Sequence, residues 1–320
     1  MRLTVPLFLF SAAFLVSTSP AALAQTTAPI DDPNAIVEEL VVTARYPGPA
    51  YWRVSDADSE VWILGIPGRI PSNLVWDKTR TADILKGANG VIMPSVATAK
   101  FSEILKFTLK NLKNFSNEGD QTLEQVVPPS VAQHYRQLPP ALRRDDLLKS
   151  TFRPVFAAFA LEAKAIKTNG WVMVESDIVS LAKKAKVKTR RASETPVLPL
   201  ATAMMSMSQA DQAQCFDAFV TDVEQTIMTI DPVARAWANG QTAEMLNQRR
   251  SSGIEDCLYS ISEIKRQRTL VYQTEIKTIK AALDQPGKTV MIANIHPLVA
   301  QNGILARLKA EGLTVRTPAD

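Results

Sequence analysis

Histidine and cysteine are scarce: the 320-residue chain has two of each. With His134 and His296 as the only imidazoles and Cys215 and Cys257 as the only thiols, neither a metal finger nor a CxxC redox pair can be assembled. A lone histidine per segment is also a poor basis for haem carriage. The chain lacks a G-x-S-x-G elbow, an H-E-x-x-H helix, a P-loop and a G-x-G-x-x-G turn, which removes the common hydrolase, zincin and nucleotide-binding signatures. Beyond residue 24 no apolar run approaches the roughly 20 residues needed to span a bilayer. Charge of one sign is lacking too. The formal excess is +4, without the clustered bases and interleaved aromatics that nucleic acid would require.

What is present is a chain 46% hydrophobic and 21% charged, the composition of a globular protein with a buried core. At the N-terminus Arg2 precedes an apolar run from Leu7 to Val16, a polar break at Ser17 to Pro20, and the small-residue box Ala22-Leu23-Ala24. That order reads as a signal peptide cleaved after Ala24, and so as a periplasmic or secreted product with no transmembrane segment. Export puts Cys215 and Cys257 in an oxidising compartment, where they either pair or serve as small buried hydrophobes. Residues 25–49 read as a linker, within which Ile36 to Arg45 is β-prone and is similar to a TonB box, an extended peptide that adds to a partner's sheet edge.

The folded domain is expected from residue 50 to 320. Tyr51–Val54 and Val61–Leu64 flank an Asp/Ser turn and read as a β-hairpin. Ser72 is placed to cap a helix running to Leu85, and Val91–Met93 is a strand. Phe101, Ile104, Leu105, Leu109, Leu112 and Phe115 form an apolar stripe, with Lys100, Lys106, Lys110 and Lys113 on what reads as a solvated face. Ser130–Leu138, carrying His134, reads as a surface helix. Pro154 opens a helix that Asn169-Gly170 closes, Asp177–Ala185 is another, and Val187–Arg191 is a basic strand. Residues 197–284 read as a helical insertion with breaks at Asp231-Pro232, Gly240 and Gly253 and a last helix from about Glu255 to Leu283. Thr289–Ala293, then Val299–Glu311, then Leu313–Arg316 reads as β-α-β with a compact crossover. The turn with Asn294, Ile295 and His296 lies where open α/β sheets handle ligands. No internal repeat of fixed period is present.

The ordered set LGIPGRI (64–70), ANGVIMP (88–94), RPVFAA (153–158), ESDIVSLAKKAKVK followed by SET (175–195), WANGQ (237–241), RTLVYQTEI (268–276) and ANIHPLVAQNGILARLKAEG (293–312) resembles the TraB/GumN family. The resemblance implies an α/β fold like the Tiki and erythromycin-esterase/ChaN group: a mixed central sheet flanked by helices, with a helical insertion. It further implies a metal-dependent protease site built from two G-x-x-H turns and a glutamate after a strand. On this chain the first turn falls on Gly65 to Gly68, so Gly68 stands in the histidine position. Pro94 stands in the glutamate position, and the second turn keeps His296 but has Ala293 for its glycine. Glu194 and Arg268 match family positions.

The candidate site set is therefore His296, Glu194 and Arg268, a remnant in which any metal ligand would be His296. A divalent metal site typically takes about three protein ligands, and Gly68 and Pro94 supply none; Glu175, Asp177 and Glu194 are the carboxylates available to stand in. The expectation is a degenerate relative, a pseudoenzyme without cofactor that binds an envelope protein or peptide. The alternative is a metal-dependent peptidase or other hydrolase with a rearranged site around His296.

Overall fold

The computed structural model describes residues 36–144, 146–248 and 257–320. In chain order the elements are β1 (Tyr51–Ser55), β2 (Ser59–Ile66), β3 (Arg69–Pro71), α1 (Thr79–Leu85), β4 (Gly90–Met93), β5 (Val96–Thr98), α2 (Phe101–Asn111), α3 (Leu123–Val126), α4 (Pro129–Gln137) and α5 (Pro154–Asn169). They continue as β6 (Trp171–Met173), α6 (Glu175–Lys184), β7 (Thr189–Arg191), β8 (Glu194–Pro196), α7 (Leu198–Met205), α8 (Gln209–Ala238) and α9 (Thr242–Gln248). The last are α10 (Ser262–Leu283), β9 (Gly287–Asn294), α11 (Ile295–Val299), α12 (Ile304–Ala310) and β10 (Thr314–Arg316).

The expected fold class holds: a six-stranded mixed sheet, order β10-β1-β2-β9-β4-β7, lies among helices. β1 and β2 make the hairpin, with Trp52 opposite Ile63. Its turn is fastened by the Asp56 carboxylate, which accepts from the Ser59 amide at 3.0 Å and the Ser59 hydroxyl at 2.6 Å. β2, β9, β4 and β7 run parallel. The central strands β9 and β2 are apolar and buried almost end to end, as strands covered on both faces must be.

Four expectations differ from the structure. The helix expected from Ser72 starts only at Thr79, whose amide donates to the Asp77 carboxylate at 2.8 Å. Residues before it are held out of helix by Trp76, which packs edge-on against Trp237 and donates to Asp177 at 3.0 Å. The break expected at Asp231-Pro232 is absent: α8 continues through Pro232, its lost hydrogen bond offset by the burial of Ile230, Val233, Ala234 and Trp237 around it. The C-terminal helix divides into α11 and α12. β10 does not lie next to β9; it passes β2 and β1 and pairs antiparallel with β1 at the sheet's edge. The break expected at Gly253 and the start expected at Glu255 fall outside the described residues.

Two apolar clusters stabilise the fold. One surrounds the sheet and takes in the last turns of α8, with Val233 and Trp237. The other joins α3, α4 and α5 to the first half of α8 through Leu123, Tyr135, Leu161, Phe216 and Phe219. α8 therefore crosses both. Cys215 on α8 and Cys257 are bonded, with Cα atoms 5.3 Å apart and a sequence separation of 42. A loop of that size corresponds to about 4 kcal/mol of stabilisation in the chain-entropy account. Among the described residues no helix is long and apolar enough to cross a membrane.

The stretch expected as linker is described from residue 36, and it lies along the body. Val37 donates to the Val299 carbonyl at 3.0 Å and Ala44 to that of Gly240 at 2.8 Å. The Leu40 side chain is buried, and its carbonyl accepts from the Trp52 indole at 3.0 Å.

Candidate functional site

The carboxyl ends of the four parallel strands gather on one rim, the usual ligand-handling edge of an open α/β sheet. β2 runs out into Pro67 and Gly68, β9 into His296, β4 into Pro94 and Ser95, and β7 into Ala192 and Ser193. Gly65, at the end of β2, has no room for a side chain: a Cβ there would meet Ile295 Cδ1 at 2.7 Å and Trp52 Cζ3 at 2.8 Å. Its carbonyl accepts from the Trp237 indole at 2.8 Å, tying α8 to the rim. Gly68 presents the opposite case. No atom lies within 4 Å of where its Cβ would be, but its φ of +94° is one that side-chain-bearing residues rarely adopt. The rim is open at Gly68 while the backbone there is set for glycine.

His296 is in the first turn of α11, just past the end of β9. Its neighbours Ile295, Pro297 and Leu298 are buried, and its own ring is half-buried with Nε2 shielded from solvent. Glu194 is exposed on β8, which pairs parallel with β5, putting Val96 opposite Glu194. Arg268 lies on the early turns of α10. Its guanidinium carbon sits 3.4 Å from the Tyr259 ring centroid, and Nε donates to the Tyr272 hydroxyl at 3.0 Å. Burial holds its pKa below the usual arginine range. Among the described ion pairs none joins Arg268 to Glu194.

The carboxylates considered as stand-ins have other duties. Glu175 accepts from Arg191 at 2.6 Å, and the same guanidinium donates to the Pro94 carbonyl at 3.3 Å. Asp177 holds Lys78 at 2.8 Å and the Trp76 indole at 3.0 Å.

Glu275 on α10, unremarked in the sequence reading, proves to be on this rim. It is 5% exposed and accepts from the Ser95 hydroxyl at 3.2 Å, and Ser193 in turn donates to Ser95 at 2.9 Å. Burial, only partly offset by the hydrogen bonds from Ser95, pushes its carboxyl up to about 6. A signal for it existed. Glu275, Ile276, Ile279, Ala282 and Leu283 all lie on the buried face of α10, so a carboxyl occupies a core-facing position of an amphipathic helix.

Residues 50–317 match the TraB/PrgY/gumN family, a span that includes the sheet, the rim and the helical layer. The chain belongs to that family. Comparison with curated proteins and with solved structures returns no match. The divalent metal implied by the family resemblance does not fit the TraB-type rim of this protein. Gly68 and Pro94, which the resemblance would place among the metal-handling positions, carry no donor atom on a side chain. Glu175 is committed to Arg191, and Glu275 is buried with a hydrogen-bonded carboxyl. Among the described residues no group of three or more histidine, cysteine or carboxylate side chains is arranged to hold an ion.

His134, the other histidine, is on α4, away from these strand ends. Its Nδ1 is 2.7 Å from Asp217 and its Nε2 3.2 Å from Glu224, both on α8. The two carboxylates sit at different nitrogens of one ring and brace two helices.

Proposed function

We propose that the protein is a binding module of the cell envelope, built on a TraB-type scaffold that has given up its metal-handling groups. The observation that carries this reading is the pair Gly68 and Pro94 at the ends of two parallel strands. One has a glycine-only backbone and the other a side chain without a donor, so neither position offers a side-chain ligand for a metal. The envelope assignment draws support from the export-type N-terminus and the Cys215–Cys257 bridge, which belongs in an oxidising compartment.

The test is calorimetric titration of the protein beginning at Gln25 with zinc, manganese or cobalt, alongside a peptide-cleavage assay. The expected result is neither stoichiometric binding nor turnover. The Gly68→His variant should lose about 1 kcal/mol or more in urea unfolding, because φ is positive there, without gaining an ion. Stoichiometric binding abolished by His296→Ala, with metal-dependent cleavage, would overturn the reading.

A second reading, a hydrolase with a rearranged site around His296, is favoured by one feature. The rim holds a buried carboxyl with its pKa at about 6, linked through Ser95 to Ser193, which suits proton transfer near neutral pH. Under that reading turnover would rise through about pH 6 as Glu275 loses its proton, and Glu275→Gln would abolish it.

A further inference from the structure

The apolar stripe of α2 faces outward. Phe101, Leu105, Leu109 and Leu112 recur at helical spacing on one face, and none packs into the core: Phe101 is 80% exposed and Leu109 62%. The helix is attached to the body through its other side, where Phe107 meets Phe115 and Phe115 meets Phe156 at 4.8 Å. About 100° round the helix from the stripe lie Lys106, Lys110 and Lys113, all exposed, and Lys100 precedes the first turn. None of these four lysines enters a described ion pair; the one carboxylate on the helix, Glu103, accepts from the Lys100 amide at 3.1 Å.

The strand before α2 is paired with the strand before a second apolar helix, α7. β5 leads into α2 and β8 into α7, and the two strands are parallel neighbours, with the Val197 amide donating to the Thr98 carbonyl at 3.0 Å. At the far end Arg153 holds both, donating to the carbonyls of Ser116 at 3.1 Å and Met205 at 2.9 Å. α7 is Leu-Pro-Leu-Ala-Thr-Ala-Met-Met, with no charged residue; its leucines and methionines are half-buried, and it packs against α10. α2 is thus fastened at both ends while its apolar stripe points outward.

We infer that this face docks on an anionic lipid bilayer, with the stripe of α2 entering the headgroup boundary and its lysines meeting lipid phosphates. An amphipathic helix with an aromatic and leucine face and a lysine flank is the pattern that binds in the plane of a membrane surface. The flank also argues against a second copy, since a self-complementary contact through this face would bring its unpaired lysines near their own counterparts. The inference is independent of whether the rim is catalytic.

The test is cosedimentation of the protein beginning at Gln25 with vesicles of phosphatidylcholine alone or mixed equally with phosphatidylglycerol. Binding is expected to the mixed vesicles and to fall as salt is raised. The double variant Leu105→Glu, Leu109→Glu should stay in the supernatant. Lys106→Gln and Lys110→Gln should each weaken binding about fivefold. Every changed side chain is exposed, and circular dichroism with the melting temperature checks that the variants fold. Failure of the parent protein to sediment with mixed vesicles would overturn the inference. So would binding insensitive to these substitutions, or a dimer in light scattering that the double variant converts to monomer.

Discussion

A carboxyl as deeply buried as that of Glu275 changes charge near neutrality, and stability has to follow. Because its folded-state pKa of about 6 lies above the ordinary 4.5, the native protein holds this proton more tightly than the unfolded chain. Its effect is absent below about pH 4.5 and grows as a stability cost as pH rises through 6. The shift corresponds to about 2 kcal/mol. Glu275→Gln should therefore leave urea stability nearly unchanged at pH 4.5 and raise it by up to that amount at pH 7.5, and equal effects at both would refute the assignment. At the same scale the limits of sequence reading are visible. The lack of a side-chain donor at Gly68 and Pro94 is legible in the sequence, because residue type alone decides it. Glu275 carried a signal, a carboxyl in line with the apolar face of its helix, but its partner Ser95, 180 residues away in sequence, carried none.

Among the elements, α4 packs on α8 through Tyr135 and Phe216, and one imidazole adds a polar link between them. Burial would lower the pKa of His134, but its hydrogen bonds to Asp217 and Glu224 and their charges outweigh burial, and the net shift is upward from 6.5. A raised histidine pKa contributes stability that is complete below about 6.5 and is lost as pH climbs through the folded-state value. His134→Gln should accordingly destabilise the protein more at pH 6 than at pH 8.5, measured by urea midpoint; an equal loss at both would mean that the ring acts by packing alone. Elements whose identity depends on local alternation were legible: the hairpin from Tyr51, the strand before His296, and the helix from Pro154 to Asn169. Those decided at a distance were not. The stretch from Ser72 has helical spacing, but Trp76 finds Trp237 and Asp177 instead. Pro232 looks like a stop, but burial on both sides carries the helix through it. The stripe of α2 was legible as a stripe; that nothing in the described structure covers it was not.

For the molecule as a whole, the sheet and its rim could be anticipated from the alternation of short apolar runs with helical segments, but strand order could not. β10 pairs with β1 because the edge beside β1 is vacant, whereas β9 already has β2 and β4 on its two sides. The same long-range logic applies to residues 36–45, whose composition reads as tail. Leu40 fills a buried position at 4% exposure, and its carbonyl is the described acceptor of the Trp52 indole, itself wholly buried. Removing the segment uncovers apolar surface worth about 2 kcal/mol and leaves a buried donor without that acceptor, at a cost of about 1 kcal/mol or more. A protein shortened to begin at Tyr46 should thus be less stable than one beginning at Gln25 by about 3 kcal/mol in urea unfolding. A detachable tail, free to add as a strand to a partner's sheet, would leave the midpoint where it was. If the segment does serve a partner as an extended strand, that partner must first displace it from Val299 and Gly240, and binding should be slow and accompanied by loss of amide protection at Val37 and Ala44.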